Sequence, residues 1–290
     1  MFDYFNKKME FEKEEDFIFP VPRFNEKILP EYKNYLINIP TERKTEDNKE
    51  EVIPCLFKKC PNSNILLIFF HCNASDIFLS FLLLKQIIEK YKLNLLIPEY
   101  PSYSLYKSPK SSQKCLDNSL IIYDFCLQNI KNISEKNIYI LGRSLGTGPA
   151  IYLSSKRNPA GTFLISPYST FANVGKNHDE KFYNKLTKHF PSINYIDKIE
   201  CSLCIFHGKE DYLISYDESK KLFDKCEKNN KKELYILDNM GHNDFFEYIK
   251  DMKNLADNFI EKYCPFDKNQ SNYSLDLDKR FYYYNDDIKE

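Results

Sequence analysis

The chain has 290 residues, with 41 Lys+Arg against 42 Asp+Glu and a formal net charge of −1. So even a balance supplies no general attraction for nucleic acid or for anionic lipid. With 42% hydrophobic and 16% aromatic residues, wholesale disorder is excluded, and the length fits one large α/β domain or two small ones.

Residues 1–30 are acidic and punctuated by Pro20, Pro22 and Pro30, which predicts a loosely docked arm. The start carries Asp3, Lys7, Lys8 and Glu10 without an apolar core, so no secretory signal is expected. Phe2 argues against N-myristoylation, and the final Asp-Ile-Lys-Glu is not a prenylation box. Two strands are predicted at 35–39 and 52–57, and the almost wholly charged stretch 41–51 between them reads as an exposed hairpin loop with no chemistry of its own.

From residue 65 short apolar runs (65–70, 93–97, 137–141, 162–165, 203–206 and 234–237) alternate with amphipathic stretches. Leu116, Leu120, Tyr123, Leu127 and Ile130 fall at helical spacing. Ser215 and Glu218 offer a capping box for a helix, and Phe245, Tyr248, Ile249, Met252, Leu255, Ala256 and Phe259 form the face of a last one. This pattern predicts an α/β fold, a mostly parallel sheet with helices on both faces, led by an antiparallel hairpin. The aromatic and Lys-rich stretch 171–200 (Phe171, Phe182, Tyr183, His189, Phe190, Tyr195) is either a crossover or a lid, and residues 264–290, with Tyr282, Tyr283 and Tyr284, read as a poorly packed, flexible tail. The expected domain therefore spans 31–263.

No apolar run reaches the roughly 18 to 20 residues of a bilayer span; the densest, 77–88, is interrupted by Lys85. Nine cysteines, several inside apolar runs (Cys55, Cys72, Cys204), read as small hydrophobes in a reducing cytosol. Cys201 and Cys204 form a C-x-x-C without a second pair at zinc-ribbon spacing, so core packing is preferred there to metal or redox chemistry.

Glycine is scarce, and three of the seven residues, Gly142, Gly146 and Gly148, surround Ser144 in Leu141-Gly142-Arg143-Ser144-Leu145-Gly146-Thr147-Gly148. This is G-x-S-x-G between a predicted strand and a predicted helix. A serine on so sharp a turn stands above the sheet, and its flanking positions must be small to let strand and helix approach. The plainer alternative is a glycine-rich turn that binds phosphate at a helix N-terminus. A serine hydroxyl needs an imidazole to take its proton and a carboxylate to orient that imidazole. Of five histidines, His178 and His189 lie in the insertion and His71 and His207 end strands, whereas His242, beside Gly241, lies in a loop before the last helix. Asp211 follows the strand at 203–206, and Asp238, only four residues before His242, competes with it for the role of carboxylate. Asp211 is preferred because it comes from a neighbouring strand and can reach the imidazole from the side. For an oxyanion hole, Leu145 supplies one N–H and the loop after 65–70 the other, at Asn73 with Cys72 and Ala74 as alternatives; His71 is then structural.

The order Ser144, Asp211, His242 is that of α/β-hydrolase triads. Pro54-Cys55-Leu56-Phe57-Lys58-Lys59-Cys60, His71-Cys72-Asn73-Ala74, the Ser144 motif, Ile165-Ser166-Pro167-Tyr168, His207-Gly208-Lys209-Glu210-Asp211 and Gly241-His242-Asn243-Asp244 together resemble the α/β-hydrolase-domain-containing protein 17-type depalmitoylases, over about residues 50–263. The resemblance implies an α/β-hydrolase fold. It also implies a serine hydrolase at the cytosolic membrane face that cleaves the thioester between a fatty acyl chain and a protein cysteine, with Ser144, Asp211 and His242 as triad. The chain departs from the family in three ways. Cys72 replaces the glycine of His-Gly-Asn-Ala, Glu99-Tyr100-Pro101-Ser102-Tyr103-Ser104 lacks both glycines of the usual turn, and no cysteine-rich amino-terminal segment is expected.

The expectation is a cytoplasmic serine hydrolase acting on an acylated protein or a lipid ester, with peripheral membrane contact, no transmembrane segment, no nucleic-acid partner, no metal and no organic cofactor. Its rivals are a lipid esterase of the monoacylglycerol or lysophospholipid type, a peptidase of the serine aminopeptidase type and, from a different class, a non-catalytic binding protein on the same fold.

Overall fold

A computed structural model describes residues 14–175, 184–266 and 274–283. Its centre is an eight-stranded sheet in the order β1-β2-β4-β3-β6-β7-β8-β9. The strands are β1 (Leu36–Lys44), β2 (Glu50–Lys58), β3 (Leu66–Phe70), β4 (Asn94–Pro98), β6 (Ile138–Arg143), β7 (Gly161–Ile165), β8 (Ser202–Gly208) and β9 (Lys232–Leu237); a two-residue strand, β5 (Ile130–Lys131), stands apart. β1 pairs antiparallel with β2 and β2 with β4, and from β4 to β9 every pairing is parallel. The α/β architecture led by an antiparallel hairpin is thus as the sequence predicts.

The parallel strands are buried on both faces, which is why they read as unbroken apolar runs rather than alternating ones. Leu67, Phe69, Tyr139 and Phe163 point to one face, under α1 (Ile77–Tyr91) and α5 (Ile249–Tyr263). Ile68, Ile140, Leu164 and Ile205 point to the other, under α2 (Ser112–Asn129), α3 (Thr147–Ser154) and α4 (Tyr216–Lys225). Caps fix where the helices begin. Asp76 accepts from the N–H groups of Phe78 and Leu79 at 2.9 and 2.8 Å, and Ser111 accepts from Lys114 N–H at 3.1 Å, each cap worth about 1 kcal/mol. The chain leaves β3 toward β4 on one side, while β6 lies on the other. That reversal opens a crevice at the carboxyl ends of β3 and β6, the usual ligand position in such sheets.

Several local expectations need correction. The arm is not loosely docked where it is described: Phe17, Ile18 and Phe19 are fully buried in a third apolar cluster with Tyr100, Tyr103, Leu145, Phe171 and Phe190. Burying such side chains contributes about 1.5–3 kcal/mol each, more than the acidic, proline-rich composition of the arm suggested. The tail likewise docks over 274–283. Leu277 pairs with Ile130 of β5, Phe281 meets Phe125 edge-on at 4.8 Å, and Tyr283 N–H donates to the Leu36 carbonyl at 2.8 Å. Tyr284 lies outside the described residues.

The charged stretch 41–51 is mostly strand, with only 45–49 left as connection. Within it Glu51 is buried, and its carboxylate accepts from Arg43 at 2.8 Å and from Lys114 and Tyr106 at 3.0 Å. Burial works to raise the pKa of this carboxyl, but these donors and Ser108 outweigh it and bring the pKa down to about 2. Alternating charges in sequence concealed a closed ionic cluster. Ser215 caps α4 through Asp217 N–H at 3.3 Å, yet Glu218 does not close the capping box; its carboxylate turns inward to Ser169 and Asn173. The last helix begins at Ile249, so Phe245 and Tyr248 belong to the loop before it. In the insertion, Phe171, His189 and Phe190 are buried against the arm's cluster, and Tyr195 packs edge-on to Tyr152. His178, Phe182 and Tyr183 lie outside the described residues.

Candidate active site

β6 ends at Arg143, and a single turn, Ser144–Gly146, leads directly into α3. Ser144 sits at φ 51°, in the left-handed region, a conformation that costs on the order of 1–3 kcal/mol unless its surroundings enforce it. The glycines are what permit the turn. A Cβ at Gly142 would lie 2.6 Å from the Gly146 carbonyl oxygen, and one at Gly146 would lie 2.0 Å from the Phe70 carbonyl oxygen on neighbouring β3. Side chains at these two positions are thus sterically excluded, as the motif predicts.

His242 stands over this turn, its Nε2 3.0 Å from Ser144 Oγ and its Nδ1 2.7 Å from Asp211 Oδ2. A nitrogen facing a carboxylate is the protonated one, so Nδ1–H donates to Asp211, and Nε2 is left to accept from the serine hydroxyl. Asp211 takes further bonds on Oδ1 from the N–H groups of Leu213 and Ile214, at 3.0 and 2.8 Å. Burial works to raise its pKa, but hydrogen bonds from His207 and His242, the charge of His242 and the Ile214 amide prevail and hold it well below the usual carboxylate range. Asp211 is therefore ionised at neutral pH, where it can orient the imidazole and stabilise its protonated form. Ser144, Asp211 and His242 are only 5–6% exposed, a low-dielectric setting in which such pairings are strong.

The competing carboxylate is placed elsewhere. Asp238 is on the surface, paired with Lys209 at 2.9 Å and about three-quarters exposed. The chain turns at Asp238–Asn239, with Asn239 at φ 60°, and the Met240 carbonyl then passes so close to Gly208 that a Cβ there would meet it at 2.1 Å. The other expected residues lie beside the crevice. Leu145 follows Ser144 in the turn, and its carbonyl accepts from Tyr168 Oη at 3.0 Å. Asn73 is buried in the loop after β3, which is β6's neighbour in the sheet with Phe70 opposite Gly142. His71 is a strut: its ring nitrogens face the Cys72 carbonyl at 2.9 Å and Glu99 at 3.2 Å, and its own carbonyl accepts from Tyr100 Oη at 2.6 Å.

Two residues at the site escaped the sequence reading. Arg143 was treated only as a variable position of the motif, yet it is buried. It donates to the His242 carbonyl at 2.8 Å and to Cys72 Sγ at 3.0 Å, and it lies 4.6 Å over the Phe245 ring. Cys72, standing where glycine was expected, thus joins the loop after β3 to the turn at Ser144. His207 was taken as a strand end. It is fully buried, its Nε2 donating to the Ile214 carbonyl at 2.8 Å and facing Asp211 Oδ2 at 3.3 Å, while Ser219 Oγ donates to Nδ1 at 2.6 Å. Its i−4 spacing from Asp211 was the available signal. Cys201 and Cys204 are buried within the core, and burial pushes both thiols up. Among the described residues no group of three His, Cys, Asp or Glu is disposed to hold a metal ion, and no helix is long and apolar enough to cross a membrane.

The site can be set beside known proteins. No protein-family profile matches the chain. A protein of Acanthamoeba polyphaga mimivirus named as alpha/beta hydrolase L404 is 31% identical over 194 residues, 66% of this chain and 72% of that one. The human alpha/beta hydrolase domain-containing protein 17B is 28% identical over 213 residues, 72% of each chain. Among solved structures, the Pyrococcus furiosus esterase Pf2001 superposes with a TM-score of 0.59 at 19% identity, over 84% of this chain and 98% of that one. A monoacylglycerol lipase of Paleococcus ferrophilus gives 0.55 at 12% identity, over 72% and 98%. At such identities the solved structures speak to the fold alone. With the sheet order and the strand-turn-helix at Ser144 already in place, the extent and identity of the match to the viral protein make this chain a member of the alpha/beta hydrolase family.

Proposed function

We propose that the protein is a serine hydrolase that cleaves an acyl thioester or ester through an acyl-enzyme, and that its substrate is a fatty acyl chain carried on a protein cysteine. The observation that carries the reading is the continuous relay from Ser144 Oγ through His242 to Asp211, at 3.0 and 2.7 Å. Ser144 Oγ attacks the carbonyl carbon as His242 Nε2 takes its proton, and Asp211 stabilises the imidazolium so formed. The N–H groups of Leu145 and Asn73 receive the oxyanion, each such donor worth roughly 3–4 kcal/mol of barrier. The imidazolium then gives its proton to the departing thiol. Water, deprotonated by the same nitrogen, attacks the acyl-enzyme, and the fatty acid leaves with Ser144 restored. Similarity to proteins named 17B and 17C, and the resemblance of the motifs to depalmitoylases, support the thioester. A substrate of that kind is presented at a membrane surface, so peripheral contact on the cytoplasmic side goes with the reading.

A fluorophosphonate probe tests the nucleophile: wild-type protein should label, and Ser144→Ala should not. Labelling that survives the substitution would refute Ser144, and a wild type that never labels would favour a non-catalytic binding protein. A palmitoyl-peptide thioester assayed beside p-nitrophenyl esters of rising length, a monoacylglycerol and an aminoacyl anilide then identifies the substrate. Preference for the glyceride or the anilide would replace the thioester reading with a lipid esterase or an aminopeptidase.

A further inference from the structure

The arm raises a question that the relay does not answer. Ser144 and His242 are each 5% exposed, so a long acyl chain needs room that must be made. The apolar cavity between α1 and α5, about 490 Å³, is not lined by Ser144, Leu145, Asn73 or His242. Beside the turn at Ser144 the arm joins the apolar cluster that contains Leu145. Phe17 meets Phe171 edge-on at 6.2 Å; Phe171 meets Tyr168 at 5.5 Å, and Tyr168 is bonded to the Leu145 carbonyl. Phe19 packs edge-on against Tyr100 at 6.3 Å and Phe190 at 6.2 Å, and Tyr100 is bonded to the His71 carbonyl. Phe19 thus rests on Tyr100, and Phe17 is joined through Phe171 to Tyr168, the two tyrosines that brace the loops flanking Ser144, in an apolar layer that also takes in Ile214, three residues beyond Asp211.

The way the arm is held differs from the way a core segment is held. Its polar ties are Asp16 to Lys110 at 2.7 Å, Glu14 to Lys185 at 3.3 Å, and Glu15 to the Ser112 N–H at 3.0 Å and Oγ at 3.2 Å, with the buried His189 Nδ1 3.6 Å away. Partly exposed ion pairs of this sort contribute little and are screened by salt. What they surround is three apolar side chains and an aromatic wall, a surface that an aliphatic chain satisfies as well as phenyl rings do. Exchanging the arm for an acyl chain gives up these ion pairs and takes Glu15 from Ser112 at the start of α2, while the apolar contacts are replaced in kind.

We infer that the Phe17–Phe19 segment occupies the ground on which the substrate's acyl chain binds, so that this strap competes with long chains and sets the chain-length preference of the enzyme. The inference rests on the serine-hydrolase reading of the site and adds to it a specificity element of this chain's own. Displacement of the strap is demanded by a chain long enough to pass Leu145 and Tyr168, whereas a short acyl group stops at Ser144.

The test measures kcat/KM across p-nitrophenyl esters from acetyl to palmitoyl for wild type, Phe17→Ala, Phe19→Ala and a form lacking residues 1–19, with folding checked by circular dichroism. The ratio of long-chain to short-chain kcat/KM should rise roughly tenfold or more in the variants, the scale of discrimination available to an apolar pocket. An unchanged ratio in a folded variant, or a uniform fall across all lengths, would overturn the proposal and make the arm a simple buttress. Should the variants not fold, hydrogen exchange on the intact protein decides. Phosphonylation by hexadecyl fluorophosphonate should release protection at residues 14–19, methyl fluorophosphonate should not, and equal protection in both adducts sinks the idea. Failure of the parent reading looks different, as wild-type protein that neither labels nor turns over any ester.

Discussion

Asp211 and Glu51 are both buried carboxylates, both ringed by donors and both more acidic than an ordinary carboxyl, yet only Asp211 belongs to the candidate site. Glu51 is matched by the basic side chains of Arg43 and Lys114 and by the Tyr106 hydroxyl. Asp211 is matched by His242, whose far nitrogen is aimed at a hydroxyl on a residue with positive φ. A shifted carboxylate therefore does not by itself mark an active centre. What distinguishes the two clusters is whether the partner can pass a proton onward.

Substitutions can break this contrast, and the largest expected effect is at the relay. His242→Ala should lower kcat on an activated ester by on the order of 10⁴-fold or more while the protein stays folded, because members of such a relay act as a unit. Near-normal turnover would move the base to another histidine. Asp211→Asn should cost up to about 10⁴-fold, since an amide offers the imidazole the wrong partner and favours the wrong tautomer; a loss below tenfold would make Asp211 a packing residue.

At Glu51 the expectation inverts, with stability moved and turnover spared. Glu51→Gln should cost about 1–3 kcal/mol at pH 7, as judged from the size of its shift. A depressed carboxyl contributes fully above its ordinary value of 4.5 and loses that contribution as pH falls toward about 2. Denaturation measured between those limits should thus show the gap between wild type and variant closing, and a gap independent of pH would remove Glu51 from the account. The smallest effect is at Asp238, whose exposed pairing with Lys209 predicts that Asp238→Asn changes kcat/KM by less than about twofold. A tenfold loss there would reopen the choice between the two aspartates.

The site was legible in sequence where local sterics dictate it. Gly142 and Gly146 announced a turn that no side chain could share, and the apolar runs from residue 65 announced a parallel sheet because strands buried on both faces cannot alternate. Ser144, Asp211 and His242 could be proposed because five histidines and a few strand ends leave a short list. The misreadings share one cause. Acidic and proline-rich residues around Phe17, Ile18 and Phe19 hid three buried side chains, and tyrosines among charges hid the docking of 274–283, since composition averages over neighbours while burial is decided one side chain at a time.

What the residues determined unaided is the set of elements, their alternation and the strained corner at Ser144, all consequences of neighbours within a few positions. Which carboxylate meets His242, why Arg143 matters, and where the arm lies were decided only when β3, β6, β7 and β8 came to lie in order in the sheet. The contacts of His242 with Ser144, Asp211 and Arg143 join residues dozens of positions apart, and the pairing of strands that brings them within about 3 Å is a property of the whole packed chain, invisible to any local pattern.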